Sequence, residues 1–435
     1  MLRYKDELSC KTNNRKESAH DLDYVVIHFR EYSKLIYPNQ IIIHGKLNNI
    51  LISGDANAFD YLMRNNVDLQ LMEYATNNNT FYVRLSSLNM IKSWILNPNS
   101  SNFCKRFYST EFIDFLLYYL KNNNESRNEL SDRILKQILS LLLLELNKNR
   151  ETIHFVFDSQ DIIQRLVGIY LDSKKQYCSC IILQIFNIIL SSEYNLEENY
   201  LLPMLNIFKL YQIIVSKEDE FLLLCKLGII ISKRSNFLLN EFCNTALPEY
   251  LFNCFIEGSD ITNTGLFNLL SFLLKEDHAK SNDIAKSIDW NLINTKVNNE
   301  FVYLNKNNVS LIKSYCKLIK SFCKNFIPDE IIVESLLLLI DNSIFETQLF
   351  IINTLSSIIP NIPFNYFKDN NFDIYIDKAN NIYLSCNTKN QSLIIHSFDY
   401  LVTNNIYDIS IIKDIINVSA PSNEIRILKD KYSTF

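Results

Sequence analysis

Residues 88–94 read LNMIKSW and residues 316–322 read CKLIKSF, and the two stretches share one pattern. In each, the second residue is polar, the residues one place before and two places after it are apolar, and a serine follows four places later. Six further segments align on this second residue, which we name the register residue. The eight register residues are Asn89, Lys136, Asn187, Gly228, Asn268, Lys317, Asn353 and His396.

The pattern recurs at intervals that suit stacked helices. Successive register residues lie 36 to 51 residues apart, about 44 on average. The two apolar columns are apolar in all eight segments, and they fall on one stripe of a helix with 3.6 residues per turn. A recurrence of this length is typical of solenoids built from pairs or triplets of helices. The sequence therefore predicts an all-α repeat protein with the apolar stripe as its core face.

The repeat pattern also predicts the domain organisation. Residues 1–20 are polar and charged, and we expect a disordered N-terminal segment there. Residues 21–435 are predicted to form a single continuous solenoid. The polar stretch 275–300, which contains Asp289 and Trp290, predicts an irregular break, either a long loop or a poor helix. No stretch is rich enough in Gly or Ser to indicate a flexible linker.

Composition narrows the functional classes. The 435 residues include only 6 Gly and 8 Pro, whereas β-rich proteins need such residues in their tight turns. The formal net charge of -5 lacks the basic excess that duplex nucleic-acid binders normally carry. No apolar run reaches 18 residues, so we expect no membrane span and no membrane partner.

Cysteine usage predicts the compartment. The chain has 10 cysteines, most of them inside apolar helical runs, where a free thiol behaves as a small hydrophobic side chain. The first residues lack the apolar core of a secretory signal. We therefore expect reduced cysteines and a cytoplasmic and/or nuclear location.

The face opposite the core stripe carries the candidate binding residues. Register residues and the serines four places later fall on that face, where equivalent helices would present one row of polar side chains. Asparagine suits a peptide-binding groove because its amide both donates and accepts hydrogen bonds. The alternative is that the face is merely solvated, or that serine permits close helix packing. We name the candidates the ladder residues: Asn89, Ser93, Lys136, Asn187, Ser191, Asn268, Lys317, Ser321, Asn353, Ser357 and His396.

The period, the helix pairing and the motif of residues 88–94 and 316–322 resemble the armadillo/HEAT superfamily of α-solenoids over residues 35–405. The resemblance implies a right-handed α–α superhelix of about eight to nine helical repeats. It also implies an extended peptide bound on the concave face. The chain departs from the nuclear-import adaptors, whose asparagine follows a tryptophan by four residues. The residues four before Asn89, Asn187, Asn268 and Asn353 are Leu85, Leu183, Thr264 and Leu349.

Signatures of catalysis and of cofactor binding are absent from the sequence. The six glycines form no phosphate-binding loop, and the six histidines form no HExxH motif. Cys178 and Cys180 form one CxC pair without a second Cys or His pair nearby. We expect no enzyme activity, no cofactor, no metal site and no small-molecule substrate.

Three functions fit these observations. The first is a non-catalytic scaffold or adaptor that binds a protein partner, such as an extended peptide segment, along the concave face. The second is a regulatory subunit or assembly chaperone of a larger complex. The third is a nucleic-acid-binding helical-repeat protein, which would use a local basic stripe on one helix. That stripe comprises Lys313, Lys317, Lys320 and Lys324.

Overall fold

The chain folds into α-helices that form two compact units, residues 1–192 and 193–435. In the residues that the computed structural model describes there are 23 α-helices and no β-strand, which confirms the all-α prediction. The first 18 residues of the predicted disordered segment lie outside the described residues, and Ala19 begins the first helix. The structure describes residues 19–76, 79–122, 129–148, 153, 160–172, 177–192, 198–209, 218–245, 260–275, 281–299, 308–369, 371–418 and 423–432.

Unit 1 contains nine described helices and two 3-10 turns, at Tyr32–Lys34 and Pro98–Phe103. The helices that carry register residues, which we name the register helices, lie side by side, because α5 packs against α7 and α7 against α9. α2 carries no register residue and packs against α5 at the start of this row. A second row includes α6 packed against α8. The helices are α1 (Ala19–Phe29), α2 (Tyr37–Ser53), α3 (Ala56–Arg64), α4 (Val67–Tyr74), α5 (Phe81–Leu96), α6 (Thr110–Asn122), α7 (Glu129–Lys148), α8 (Gln160–Leu171) and α9 (Ser179–Ser191).

Unit 2 contains fourteen described helices. They are α10 (Glu198–Lys209), α11 (Glu218–Ser232), α12 (Asn236–Cys243), α13 (Asp260–Lys275), α14 (Ser281–Ser287), α15 (Trp290–Asn298), α16 (Val309–Phe322), α17 (Glu330–Asn342), α18 (Phe345–Ile358), α19 (Tyr366–Asp369), α20 (Asp373–Tyr383), α21 (Thr388–Thr403), α22 (Ser410–Val418) and α23 (Asn423–Tyr432). The register helices α11, α13, α16, α18 and α21 pack in that order, and a second row runs through α15, α17 and α20.

The two apolar columns form the core in both units. All eight residues that precede a register residue are buried. The eight that lie two places after it are buried as well, except Ile230, which is half-buried. This burial supplies most of the stability of the packed helices, since each fully buried Leu, Ile or Phe side chain contributes about 1.5–3 kcal/mol.

The predicted irregular break at residues 275–300 contains two short helices, α14 and α15. Asp289 caps α15, because its carboxylate accepts a hydrogen bond from the Leu292 backbone at 3.0 Å. Trp290, Ile293 and Val297 are buried at helical spacing and anchor α15 against α17. Because residues 275–300 are polar on average, this narrow apolar stripe is difficult to recognise in the sequence. Of the two predicted alternatives, a poor helix describes residues 290–298 better than a long loop.

Side chains of one repeat cap helix ends of another. Helices leave their last carbonyl groups without backbone partners. Asn97 Nδ2 donates to the carbonyl oxygens of Leu51 at 3.0 Å and of Ile52 at 2.9 Å. Asn361 Nδ2 likewise donates to Cys323 at 2.9 Å, one repeat earlier. These bonds tie the ends of neighbouring register helices together.

In three repeats, a glutamine side chain also donates a hydrogen bond to a carbonyl group of the preceding helical segment. The fourth residue of α2, α18 and α21 is a glutamine whose amide reaches a carbonyl eight residues earlier, near the end of the preceding helical segment. Gln40 donates to Tyr32, Gln348 to Ile340 and Gln391 to Tyr383, at 3.1, 3.2 and 3.1 Å. Each bond fixes the sharp reversal between the two elements.

Candidate partner-binding face

The ladder residues are divided between the two units. Unit 1 holds Asn89, Ser93, Lys136, Asn187 and Ser191, and unit 2 holds Asn268, Lys317, Ser321, Asn353, Ser357 and His396. Within unit 2, the neighbouring helices α13 and α16 bring Asn268, Lys317 and Ser321 together, and α11 packs against α13 beside them. We name the exposed side of α11, α13 and α16 the unit 2 ladder face.

Asn268 lies at the centre of the unit 2 ladder face. Its Nδ2 donates to the carbonyl of Thr264 at 2.9 Å and lies 3.0 Å from Ser314 Oγ on α16. Lys317 Nζ donates to Asn268 Oδ1 at 3.3 Å. The amide therefore connects α13 to α16 by two side-chain bonds, and it holds the end of the Lys317 side chain in one place.

Serines complete this connection between α13 and α16. The Oγ atoms of Ser271 and Ser321 lie 2.8 Å apart, and Ser271 Oγ also donates to the carbonyl of Lys317 at 3.3 Å. In unit 1 the half-buried Ser93 makes the same kind of bond, from its Oγ to Asn48 Oδ1 at 2.8 Å. Ser93 and Ser321 thus join neighbouring helices, as the alternative interpretation of the pattern proposed. Ser191 and Ser357 instead bond to carbonyl groups of their own helices.

Other ladder residues are placed differently. Asn187 and Asn353 are buried, with 5% and 7% of their surfaces exposed. Asn187 Nδ2 donates to Leu183 in its own helix at 2.8 Å. A helical wheel describes one helix without its neighbours. In the structure, flanking register helices cover part of the face opposite the core. Lys136, Ser191 and His396 are exposed, and Asn89 and Ser357 are half-buried.

Gly228 holds a register position because a larger residue does not fit there. A Cβ added to Gly228 would lie 2.9 Å from Cζ of Phe242, a buried ring on α12. The Phe242 ring thus occupies the space that a register side chain fills in other repeats. Register position 228 on α11 therefore carries no polar side chain, and Ser232, one turn later, is buried.

A pocket of about 380 Å³ opens on the unit 2 ladder face at that point. Residues 232–236 line it together with Leu239 and Phe272. Ser232 and Phe272 both lie four places after a register residue, on α11 and α13 respectively. Ser235 caps α12 by accepting a hydrogen bond from the Leu238 backbone at 3.1 Å, so the pocket wall has a fixed shape.

Lys233 lines this pocket, and further lysines lie on α13 and α16. Lys233 Nζ lies 5.6 Å from the centre of the Phe272 ring, and Lys313 Nζ lies 5.5 Å from the ring of Phe350 on α18. Partial desolvation, followed by the charges of Lys233, Lys275 and Lys313, lowers the pKa of the Lys317 ammonium group. We name Lys233, Lys275, Lys313 and Lys317 the lysine cluster; all four are exposed.

Only part of this cluster can be recognised in the sequence. Three lysines of the predicted stripe, Lys313, Lys317 and Lys320, lie on α16, whereas Lys324 follows the end of that helix at Phe322. Lys320 is half-buried, and the other three are exposed. Burial lowers the pKa of Lys320. Lys233 directly follows α11, and Lys275 is the last residue of α13. A residue pattern within α16 alone therefore cannot link them to Lys317. One feature of the sequence does point to the cluster. Phe272 stands four places after a register residue, where most repeats have serine, and its ring lies beneath Lys233.

The described residues contain neither a metal-binding cluster nor a membrane-spanning helix. No group of three or more His, Cys, Asp or Glu side chains there has an arrangement that could hold a metal ion. None of the described helices combines the length and hydrophobicity needed to cross a bilayer. The eight described cysteines are free thiols, six of them buried.

Comparison with known proteins supports the fold alone. No protein-family model matches the chain, and no curated protein sequence matches it. Among solved structures, the chain is similar to a crystal structure of an engineered protein from the Northeast Structural Genomics Consortium. The TM-score is 0.65 at 11% sequence identity, and the alignment covers 94% of this chain and 96% of the engineered one. Similarity at this identity carries no functional assignment.

Proposed function

We propose that this protein is a non-catalytic scaffold or adaptor that binds an extended segment of a partner protein along the unit 2 ladder face. The observation that carries the proposal is the group of polar side chains where α13 meets α16, which includes Asn268, Lys317 and Ser321 and has a pocket at its edge. Amide, hydroxyl and ammonium groups there offer both donors and acceptors to a peptide backbone.

We further propose an armadillo/HEAT-like solenoid with a right-handed superhelical arrangement. Support comes from the side-by-side packing of equivalent helices within each unit, which repeats at the interval found in the sequence. Solenoids present long surfaces of this kind and use them for binding. Reduced cysteines and a cytoplasmic and/or nuclear location remain part of the proposal.

Site-specific crosslinking tests the proposed function. A photo-reactive amino acid placed at Lys317 should crosslink one reproducible protein partner in an extract of the source cells, identified by mass spectrometry. The same amino acid at Lys286, an exposed residue of α14, is the control. Equal labelling from both positions, or no protein crosslinked from Lys317, would contradict the proposal. Crosslinking to nucleic acid would favour the nucleic-acid-binding alternative.

A further inference from the structure

We propose that the lysine cluster binds an acidic segment of the partner, an extended stretch rich in Asp and Glu. This inference rests on the proposed function, because it names the chemistry of the segment that the unit 2 ladder face would bind. The cluster unites cationic side chains from three helices that are distant in sequence: Lys233 just after α11, Lys275 at the end of α13, and Lys313 and Lys317 on α16.

Among the described residues, no ion pair neutralises the positive charge of this surface. None of the four lysines makes an ion pair in the described part of the chain. The neighbouring charges that act on Lys317 are all ammonium groups, namely those of Lys233, Lys275 and Lys313. The whole chain has a formal net charge of -5, so the cluster is a local exception. Like charges held together on one face favour a partner of opposite charge.

The side chains of the cluster are positioned before any partner arrives. The Phe272 ring supports Lys233, the Phe350 ring lies near Lys313, and Asn268 accepts a hydrogen bond from Lys317. A lysine loses conformational entropy when it is immobilised, and this loss is smaller for side chains that already have defined contacts. The adjoining pocket gives space for a side chain of the bound segment.

A peptide suits this surface better than a nucleic acid. Duplex nucleic acid carries one negative charge per about 1.7 Å and extends far beyond four lysines. It would then meet a chain with more acidic than basic residues, 48 against 43. Single strands bind by stacking on aromatic rings, whereas Phe272 is only 8% exposed.

Binding of a labelled peptide of ten alternating Asp and Glu residues tests the inference. We expect saturable binding to the full-length protein, weakened at least about tenfold when Lys233→Glu and Lys317→Glu are combined. The control variant combines Lys226→Glu and Lys286→Glu, which make the same charge change at exposed residues outside the cluster. It should change affinity less than about twofold. Circular dichroism should show all variants folded, since every substituted side chain is exposed.

Three results would overturn the inference: equal binding of a peptide with Asn and Gln in place of Asp and Glu, equal weakening in the control variant, or tighter binding of an oligonucleotide of the same charge. Crosslinking separates this inference from the proposed function. If the Lys233→Glu, Lys317→Glu variant still captures its partner through a photo-reactive residue at Ser321, the ladder face binds a protein but not through acidic residues.

Discussion

Asn97 Nδ2 donates to the carbonyl oxygen of Leu51 at 3.0 Å, although the two residues belong to different repeats. Asn97 is buried, and the same amide also serves Ile52. We expect Asn97→Ala to lower the free energy of unfolding by about 1–3 kcal/mol, because it leaves buried carbonyl groups without donors. Asn147→Ala is the control, since the exposed Asn147 bonds only to its own helix. Urea titration followed by circular dichroism measures both, and equal effects would contradict the capping role.

The glutamine bonds predict a smaller effect in unit 2. Gln391→Ala removes the bond to Tyr383 and should cost about 0.5–1.5 kcal/mol of stability, the usual net value of one hydrogen bond. Gln184→Ala, at an exposed position of α9, should change stability by less than about 0.5 kcal/mol. Thermal unfolding of the two variants beside the parent gives the comparison. A Gln391→Ala protein as stable as the parent would show that the reversal is fixed by packing alone.

Glu145 predicts a pH-dependent stability. It is fully buried on α7, and neither carboxylate oxygen has a hydrogen-bond partner among the described residues. Burial raises the pKa of Glu145 from 4.5 to about 8, and the charge of Lys148 opposes this shift. Between these two values the folded protein holds a proton that the unfolded chain releases. The stabilising contribution is therefore present below the lower pKa and is lost as pH rises through about 8.

Glu145→Gln removes that titration. At pH 9 the variant should be more stable than the parent by a few kcal/mol, because it avoids a buried unpaired charge. Near pH 4.5 the two proteins should differ little, since the glutamate is then neutral in the folded state. Denaturant titrations at several pH values measure the difference. A constant difference across pH would show that Glu145 titrates normally.

Arg106 and Asp68 make a bidentate ion pair that predicts strong coupling. Arg106 Nη1 lies 3.0 and 2.8 Å from the two carboxylate oxygens of Asp68, which is fully buried. Arg106→Ala should cost about 3 kcal/mol, because the buried carboxylate loses its partner. Adding Asp68→Asn should recover part of that loss. A double variant less stable than Arg106→Ala alone would contradict this account.

The sequence predicted the register helices well because burial decides them. The motif of residues 88–94 lies within the helix Phe81–Leu96, and the apolar residues around Asn89 and Lys317 lie in the core as expected. The helix at 290–298 was harder to predict, since only Trp290, Ile293 and Val297 mark its buried side.

The candidate site was predicted less completely. Contacts between helices determine which ladder residues solvent reaches, and a single-helix pattern carries no information about them. Asn187 and Asn353 are buried for this reason. Lys233 and Lys275 gain their importance from proximity to Lys317, which depends on the packing of α11, α13 and α16. The partner-binding role of the ladder residues stays a prediction for crosslinking to test.

The bonds from Asn97 to Leu51 and from Asn361 to Cys323 affect how the chain can be shortened. The terminal carbonyl oxygens of such a helix accept hydrogen bonds from a later layer of helices. The helix is therefore poorly suited to be the last helix of a shortened chain. Deleting that layer removes the amide groups that donate to these carbonyl oxygens in the described part of the chain. A stable fragment of either unit therefore needs a newly designed closing segment as well as a well-chosen end point.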